Sequence, residues 1–415
     1  MHELKVDADP AEVGLDPGRL QRIEAHFARY VADGRLPGWL LTVSRHGRLA
    51  YVAKCGSRDA EAGLPVTDDT LWRIYSMSKP VTSVAAMMLY EEGKLALTDP
   101  VSAFIPSFAD VRVYTGGPDA KPVTVPAVEP VRVWHLLTHT AGLTYGFHHL
   151  HVVDAMYRAG GFEWGWPRGT DLAQACDLWA GFPLLFPPGS EWNYSVATDV
   201  LGRVVEVASG QRLDEFFASR IFGPLGMTDT AFWADPEAQP RLAALYSPSP
   251  DGKPARLDVF GRAALRQPRL LSGGGGLVSS AADYNQFMSM LLDRPGSPAG
   301  ELDGARLLSP RTVGYMSRNH LPGGVDLETF GRAPDAETPF RGVGFGLGFA
   351  VLLDPVPGEV IGSAGEISWG GAASTAFWID QQADLTVSFF TQLLPSSTYP
   401  IRPQLRQLVY QALTD

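Results

Sequence analysis

The two ends of the chain carry helix and strand patterns in mirror order, and this arrangement limits the possible folds more than any other feature. The first helical pattern has apolar residues on one face, at Leu20, Ile23, Phe27 and Val31. Strand-like runs follow at 39–44 and 48–53, and His46-Gly47 between them is typical of a hairpin turn. Near the other end, further strand-like runs precede a helical run, at 348–353, 376–379, 385–391 and 404–413. The pattern predicts a central antiparallel sheet flanked by the N- and C-terminal helices.

Between these ends, helical patterns separated by glycine and proline turns dominate the sequence. We therefore expect an α/β fold of the α+β type, in which residues 1–95 and 240–415 form a discontinuous α/β sheet domain. Residues 96–239 would form an inserted, mostly helical domain. Clefts between domains commonly hold ligands, so we expect the active site at the interface of the two domains.

Charge and composition exclude several classes of partner. The net charge is −11 and no basic run occurs, so neither a nucleic acid nor an anionic membrane surface is expected as a partner. No signal-peptide pattern and no apolar run of membrane-spanning length is found, which predicts a cytoplasmic protein. Cys55 and Cys176 are too few and too far apart for a disulfide framework, and we expect both to be buried thiols. No pattern indicates an oligomeric state.

Ser76-Met77-Ser78-Lys79 precedes an apolar helical run that ends near Gly93. Residues three apart share one face of a helix, so the side chains of Ser76 and Lys79 are expected within reach of each other. A partly desolvated lysine can be neutral enough to accept the proton of a serine nucleophile. The alternative is an ordinary helix start with an exposed lysine, and Ser78 is expected to be a conventional N-cap.

Five separated blocks carry a family resemblance, at 75–83, 134–143, 187–195, 273–283 and 369–371. Their order and spacing resemble the class C β-lactamases, the D-alanyl-D-alanine peptidases and, most closely, the family VIII carboxylesterases. The resemblance implies a β-lactamase-like fold and acyl transfer through Ser76, with Lys79 and Tyr194 as general base and acid. It implies neither a metal ion nor an organic cofactor. For Tyr194, the alternative is a half-buried aromatic residue whose hydroxyl is hydrogen-bonded.

The resemblance also implies an oxyanion hole made by the backbone N–H groups of Ser76 and Ala372. The alternative for the preceding glycines is a simple strand bulge. Aromatic residues near the motifs are candidates for the walls of a substrate pocket, with core packing as the alternative. The pocket is predicted to include Tyr75, Trp164, Trp166, Trp192, Trp369, Gly370 and Gly371.

Two departures from the family pattern affect the substrate prediction. Penicillin-recognising members carry Tyr-x-Asn, whereas this chain has Tyr194-Ser195-Val196, and Trp369-Gly-Gly replaces their Lys-Thr-Gly. The lysine that would pair with a substrate carboxylate is therefore absent, and we expect a serine carboxylesterase acting on small, uncharged esters with short to medium acyl chains. Alternatives are acyl transfer to a small-molecule acceptor, weak β-lactamase or D-aminopeptidase activity, and a non-catalytic penicillin-binding-like module.

No Gly-x-Ser-x-Gly motif occurs, which argues against an α/β-hydrolase. His148, His149 and His151 lack an acidic or cysteine partner at ligand spacing, so we interpret them as loop or pocket-wall residues rather than metal ligands. His139 is expected to be a structural hydrogen-bonding residue behind the site.

Overall fold

The computed structural model describes residues 4–249, 252–332, 340–357 and 360–415. Within them, the strands are β1 (Gly38–Arg45), β2 (Arg48–Asp59), β3 (Leu64–Pro65), β4 (Leu71–Arg73), β5 (Arg112–Gly116), β6 (Val123–Pro126), β7 (Tyr246–Pro248), β8 (Pro254–Arg256), β9 (Val278–Ser280), β10 (Glu301–Leu302), β11 (Ala305–Arg306), β12 (Val343–Phe345), β13 (Ala350–Leu352), β14 (Ile367–Gly371), β15 (Thr375–Asp380) and β16 (Leu385–Phe390).

The α-helices of the same residues complete the element order. They are α1 (Pro17–Ala32), α2 (Ser78–Glu91), α3 (Val133–Leu137), α4 (Val152–Ala159), α5 (Leu172–Gly181), α6 (Ala197–Ser209), α7 (Leu213–Phe217), α8 (Asp258–Gly261), α9 (Ala281–Leu291), α10 (Pro310–Met316), α11 (Leu327–Phe330) and α12 (Ile401–Tyr410). No helix of the described residues is both long enough and apolar enough to span a bilayer.

An eight-stranded sheet joins the two ends of the chain. Its order is β12-β13-β14-β15-β16-β1-β2-β3, and every neighbouring pair is antiparallel. Strand β1 lies at the junction, where Val43 faces Val387 of β16 on one side and Tyr51 of β2 on the other. The hairpin turn uses left-handed backbone at His46 and Gly47, with φ of 53° and 70°. The predicted mixed α/β fold with a large antiparallel sheet is confirmed.

The two terminal helices pack together on one face of this sheet. Helix α1 is capped by Asp16, whose carboxylate accepts a hydrogen bond from the Arg19 N–H, and its buried stripe is Leu20, Ile23, Phe27 and Tyr30. The stripe differs from the predicted one at its end, because Tyr30 rather than Val31 is buried. Phe27 packs against Trp39 and Phe389 of the sheet. A buried phenylalanine of this kind contributes about 3–5 kcal/mol relative to alanine.

Helix α2 lies at the centre of the molecule and packs against α6. Its apolar residues Val81, Val84, Met87 and Leu89 are fully buried, so the Ser76 motif stands at the start of a rigid element. The segment 96–239 contains helices α3 to α7, but it also contains the β5–β6 hairpin, which sequence patterns did not indicate. The division into two domains stays a prediction.

The two cysteines differ in their exposure. Cys176 on α5 is fully buried, as expected, whereas Cys55 on β2 is only partly buried. The expectation of a buried thiol is therefore wrong for Cys55, because its strand lies near the edge of the sheet, where only β3 follows.

Candidate active site

Ser76 lies on a short 3₁₀ turn, Tyr75–Met77, that leads directly into α2. Tyr75 has φ of 43°, a left-handed conformation that costs a non-glycine residue of order 1–3 kcal/mol and is often kept at functional sites. Because the turn continues into the helix, Met77 at the N-cap has helical backbone angles and Ser78 lies inside the helix. The expectation that Ser78 caps the helix is therefore wrong: its hydroxyl accepts a hydrogen bond from the Leu277 N–H at 3.1 Å.

The hydroxyl of Ser76 lies between the two predicted proton-transfer residues. Its Oγ is 2.6 Å from the phenol oxygen of Tyr194 and 3.1 Å from Lys79 Nζ. Lys79 Nζ also lies 4.5 Å from the centre of the Tyr194 ring. Three chemical groups needed for acyl transfer, a nucleophile and two groups that can exchange its proton, are thus in mutual contact.

Lys79 is buried, with 1% of its surface exposed, and all its donors are used. Nζ donates to Ser76 Oγ, to the Tyr145 phenol at 3.1 Å and to the Gly274 carbonyl at 2.7 Å. These three acceptors are uncharged, so the ammonium has no carboxylate in hydrogen-bonding contact.

Asp199 on α6 is a buried acidic residue that is connected to Lys79 through Gly274. Its carboxylate accepts hydrogen bonds from the Ser272 hydroxyl and, at 3.1 Å, from the Gly274 N–H. Burial raises the pKa of Asp199 above its usual range, although the charge of Lys79 opposes the shift. The Gly274 residue therefore links the two, because its N–H binds Asp199 and its carbonyl binds Lys79. A Cβ at position 274 would lie 2.6 Å from the carboxylate, which explains the glycine.

Tyr194 is held from behind by a cluster of rings. The Trp369 indole N–H points at its phenol oxygen at 3.4 Å, and the Trp192 ring stacks at a centroid distance of 6.3 Å.

Two histidines also contact the Tyr194 segment. His148 Nε2 donates to the Tyr194 carbonyl at 2.7 Å. His139, with Nδ1 at 3.2 Å from Ser195 Oγ, is buried beside the ring. Burial and the charge of Lys79 hold the pKa of His139 well below its usual range, so it is neutral here.

Strand β14 brings the predicted oxyanion-hole residue to the serine turn. A Cβ at Gly371 would lie 2.4 Å from the Ile74 carbonyl oxygen, so only glycine permits this approach of the strand to the turn. A Cβ at Gly370 would collide with the guanidinium of Arg402. Ala372, which follows directly, lines the same cavity as Ser76. Ser76 and Ala372 thus line one cavity, and their role as an oxyanion hole stays a prediction.

A cavity of about 240 Å³ opens in front of Ser76 and is lined mostly by apolar and aromatic side chains. Of the predicted pocket residues, Tyr75, Trp164 and Trp166 line it. Trp369, Gly370 and Gly371 are not among its described lining residues; they lie on β14 beside Tyr194 and the turn. The expectation for Trp192 needs correction, because this side chain is fully buried against His139, Tyr194 and Phe345 and packs behind the site.

Sequence patterns missed four residues of the site: Arg73, Tyr145, Asp199 and Gly274. Tyr145 stands two residues beyond the block that ends at Leu143, and the glycine run at 273–276 signalled a close backbone approach. Burial, Asp199 and Tyr194 raise the pKa of Tyr145 well above its usual range, so its phenol stays protonated. The described residues contain no group of three His, Cys, Asp or Glu side chains that could hold a metal ion.

The chain is similar to one protein family and to several known proteins. The model of the family described as Beta-lactamase matches residues 23–411. Protein Rv1367c of Mycobacterium tuberculosis is 37% identical over 375 residues, which cover 88% of each chain. Esterase EstB of Burkholderia gladioli is 32% identical over 421 residues, covering 97% of this chain and 98% of the relative. The solved structure of EstCE1, described as a hydrolase with promiscuous acyltransferase activity, has a TM-score of 0.77 at 29% identity and covers 95% of this chain and 98% of that chain.

Proposed function

This chain belongs to the Beta-lactamase family, whose esterase and acyltransferase relatives support serine ester hydrolase or acyltransferase chemistry, and we propose that it is a serine carboxylesterase. One observation carries the proposal: Ser76 Oγ is in hydrogen-bonding contact with both Tyr194 and Lys79 at the wall of an apolar cavity. Such a cavity accepts an uncharged ester more readily than a charged peptide or β-lactam.

The proposed reaction begins with attack of Ser76 Oγ on the ester carbonyl carbon. The serine proton passes to the Lys79–Tyr194 pair, and the N–H groups of Ser76 and Ala372 donate to the developing oxyanion. The tetrahedral intermediate then collapses: the bond to the alcohol oxygen breaks, and Tyr194 returns the proton to the leaving alkoxide. Water, deprotonated by the same pair, then attacks the acyl carbonyl carbon. The bond to Ser76 Oγ breaks, the acid leaves, and the pair returns the proton to the serine oxygen.

Substrate class follows from the charge and size of the cavity. Trp369 stands where related penicillin-recognising enzymes carry a lysine, and its indole contacts Tyr194 rather than offering a cation to a substrate carboxylate. With a cavity of about 240 Å³, the site suits esters with short to medium acyl chains. Aromatic residues such as Trp164 and Phe147, which stack at 4.5 Å, form its outer wall.

The first test is hydrolysis of p-nitrophenyl acetate and butyrate by wild type and Ser76→Ala, followed by intact-mass measurement after an organophosphorus inhibitor. We expect turnover and a single covalent adduct in wild type, and neither in Ser76→Ala. Ser78→Ala is the matched control, since this serine lies one residue beyond the turn, and it should keep both. A folded wild type with no turnover and no adduct would refute the proposed function.

Acyl transfer to a small-molecule alcohol or amine is the second candidate. Its support is the promiscuous acyltransferase activity described for EstCE1, together with a cavity whose mainly apolar walls disfavour water. The measurement is product analysis of p-nitrophenyl butyrate turnover with and without a primary alcohol. A transfer product that exceeds free butyrate at millimolar acceptor would favour the transferase, and free butyrate alone would favour the esterase.

A further inference from the structure

Three aromatic rings form a continuous stack in the wall of the cavity in front of Ser76. Tyr145 and Phe147 are nearly parallel, with ring centroids 4.6 Å apart and ring planes inclined by 18°. Phe147 and Trp164 continue the stack at 4.5 Å and 14°. All three side chains line the same cavity as Ser76. Part of the cavity wall is therefore an ordered series of π systems.

The stack begins at the catalytic groups and ends in solvent. The Tyr145 phenol accepts a hydrogen bond from Lys79 Nζ at 3.1 Å, and the same Nζ lies 3.1 Å from Ser76 Oγ. Phe147 is half-buried, and Trp164 at the far end has 43% of its surface exposed. A substrate group attached close to the reacting carbonyl is thus within reach of the rings, and it would displace water from their exposed surfaces.

Two contacts join the turn that carries the first two rings to the loop that carries Trp164. Gly146 in the turn approaches the loop so closely that a Cβ would collide with the Phe162 carbonyl. His149, at the end of the turn, has Nε2 at 3.1 Å from Glu163 Oε1. The rings are therefore already ordered in the free protein, so fixing them adds little to the entropic cost of binding.

We propose that this stack selects esters that carry a flat aryl group within a few bonds of the reacting carbonyl. The proposal rests on the proposed esterase function and names its substrate class: arylalkyl esters. An aryl ring packed against aromatic side chains, by its face or by its edge, is stabilised beyond the apolar area that it buries. A cyclohexyl ring gains from burial alone, and its apolar area is larger than that of phenyl. A cavity that is merely apolar would thus prefer the cyclohexyl ester, whereas the stack reverses this order.

Wild-type protein can test the sign of this preference. Two matched pairs are compared by pH-stat titration: ethyl 3-phenylpropanoate with ethyl 3-cyclohexylpropanoate, and 2-phenylethyl acetate with 2-cyclohexylethyl acetate. Two methylenes separate each ring from the ester group, so carbonyl reactivity is nearly equal within a pair. We expect kcat/KM of the phenyl ester to be about three- to tenfold higher in at least one pair, which identifies the acyl or the alcohol side as the aryl side. Equal values in both pairs, or a preference for cyclohexyl in both, would overturn the proposal.

Trp164→Leu supplies the second test, because it removes the outermost ring and keeps an apolar side chain. In the pair that shows the preference, the ratio of phenyl to cyclohexyl kcat/KM is expected to fall to about unity or below. Trp166→Leu is the matched control: Trp166 lies in the same loop, lines the same cavity and is 41% exposed, but it stacks on no ring of the described residues. Its ratio should fall by less than about twofold. An unchanged ratio in Trp164→Leu, or an equal fall in both variants, would overturn the role of the stack.

Failure of the esterase function would give a different result. None of the four esters would then be hydrolysed, which would overturn both proposals, whereas equal hydrolysis within each pair overturns only the role of the stack. If a variant does not fold, the two wild-type pairs still decide.

Discussion

Two buried polar clusters lie on either side of the sheet's C-terminal strands. They differ in whether a buried charge is in contact with an opposite charge. Behind the sheet, Arg406 of α12 binds Glu366, with Nη1 at 2.7 Å from Oε2. Tyr410 donates to the same carboxylate at 2.6 Å and lies 2.7 Å from Asp380. Burial raises the pKa of Glu366, and Arg406 opposes this shift. The Glu366 carboxylate of this cluster is thus matched by the Arg406 cation.

At the serine turn, the buried cation is left without such a match. Lys79 donates to the Ser76 hydroxyl, the Tyr145 phenol and the Gly274 carbonyl, all of which are neutral. Asp199 reaches it only through the Gly274 peptide groups. In the first cluster an ion pair attaches the C-terminal helix, whereas in the second the lysine contacts only neutral acceptors beside Ser76.

The largest expected effect comes from removing the unmatched cation. Lys79→Met should lower kcat/KM for p-nitrophenyl butyrate by about 10³-fold or more, because Ser76 loses a proton acceptor and its geometry. Stability should change little, since methionine fills the space of a cation that was never paired with a carboxylate. Steady-state kinetics measure the change in kcat/KM, and denaturant unfolding of the same preparation measures the change in stability. A variant that retains more than a tenth of the activity would contradict the assigned role.

Removing the cation of the Arg406–Glu366 cluster should have the opposite result, with a loss of stability and little change in kcat. Arg406→Met leaves Glu366 buried without its cation, and we expect a loss of about 3–5 kcal/mol in the free energy of unfolding. The kcat of the protein that remains folded should stay within about threefold of wild type. Arg48→Met is the control: it removes an exposed pair with Glu12, 3.2 Å long, and should cost at most about 1 kcal/mol. Equal losses of unfolding free energy in Arg406→Met and Arg48→Met would show that the buried pair contributes no more than the exposed one.

A further buried carboxyl, Asp283, extends the comparison to the pH dependence of stability. Burial raises the pKa of Asp283 to about 6, although Thr230 and the Asp229 N–H donate to it. The folded protein therefore keeps this proton to a higher pH than the unfolded chain does, and stability is lost as pH rises from about 4 through about 6. Asp283→Asn, which cannot ionise, should be about 1–3 kcal/mol more stable than wild type above pH 6.

Urea unfolding of wild type and Asp283→Asn between pH 4 and pH 8 checks this expectation. The difference between the two proteins should widen up to about pH 6 and then stay constant. A difference that is independent of pH across this range would show that the carboxyl is not perturbed. Because the Asp283 carboxyl contacts Thr230 and the Asp229 N–H rather than Ser76, esterase activity should follow the folded fraction only.

The sequence predicted the parts of the site that depend on local spacing. Ser76 and Lys79 are one helical turn apart, so their contact follows from helix geometry. The mirror order of the terminal elements likewise predicted an antiparallel sheet built from both ends of the chain. The contact of Tyr194 with Ser76 spans 118 positions and was expected only from the family resemblance.

The remaining features depend on tertiary packing that no local pattern encodes. Trp192 and Trp166 are both loop tryptophans, yet one is fully buried behind Tyr194 and the other is 41% exposed at the cavity. Ser78 looked like an N-cap because the preceding 3₁₀ turn could not be read from the sequence. Arg73 reads as an ordinary strand residue, and only the folded chain shows that it lines the cavity beside the nucleophile.

The smallest predicted effect distinguishes the two tyrosines that lie beside Lys79. Tyr145 touches Lys79 Nζ at 3.1 Å, whereas Tyr194 touches Ser76 Oγ itself at 2.6 Å. Since burial keeps the Tyr145 phenol protonated, it can orient the ammonium without exchanging protons during turnover. Tyr145→Phe should therefore lower kcat/KM about tenfold with an unchanged pH profile. Tyr194→Phe should cost about 10²–10⁴-fold, the usual contribution of a general acid or base. Equal losses of activity in the two variants, or a shifted pH profile in Tyr145→Phe, would contradict this assignment. The Tyr145 phenol would then take part in proton transfer instead of only orienting Lys79.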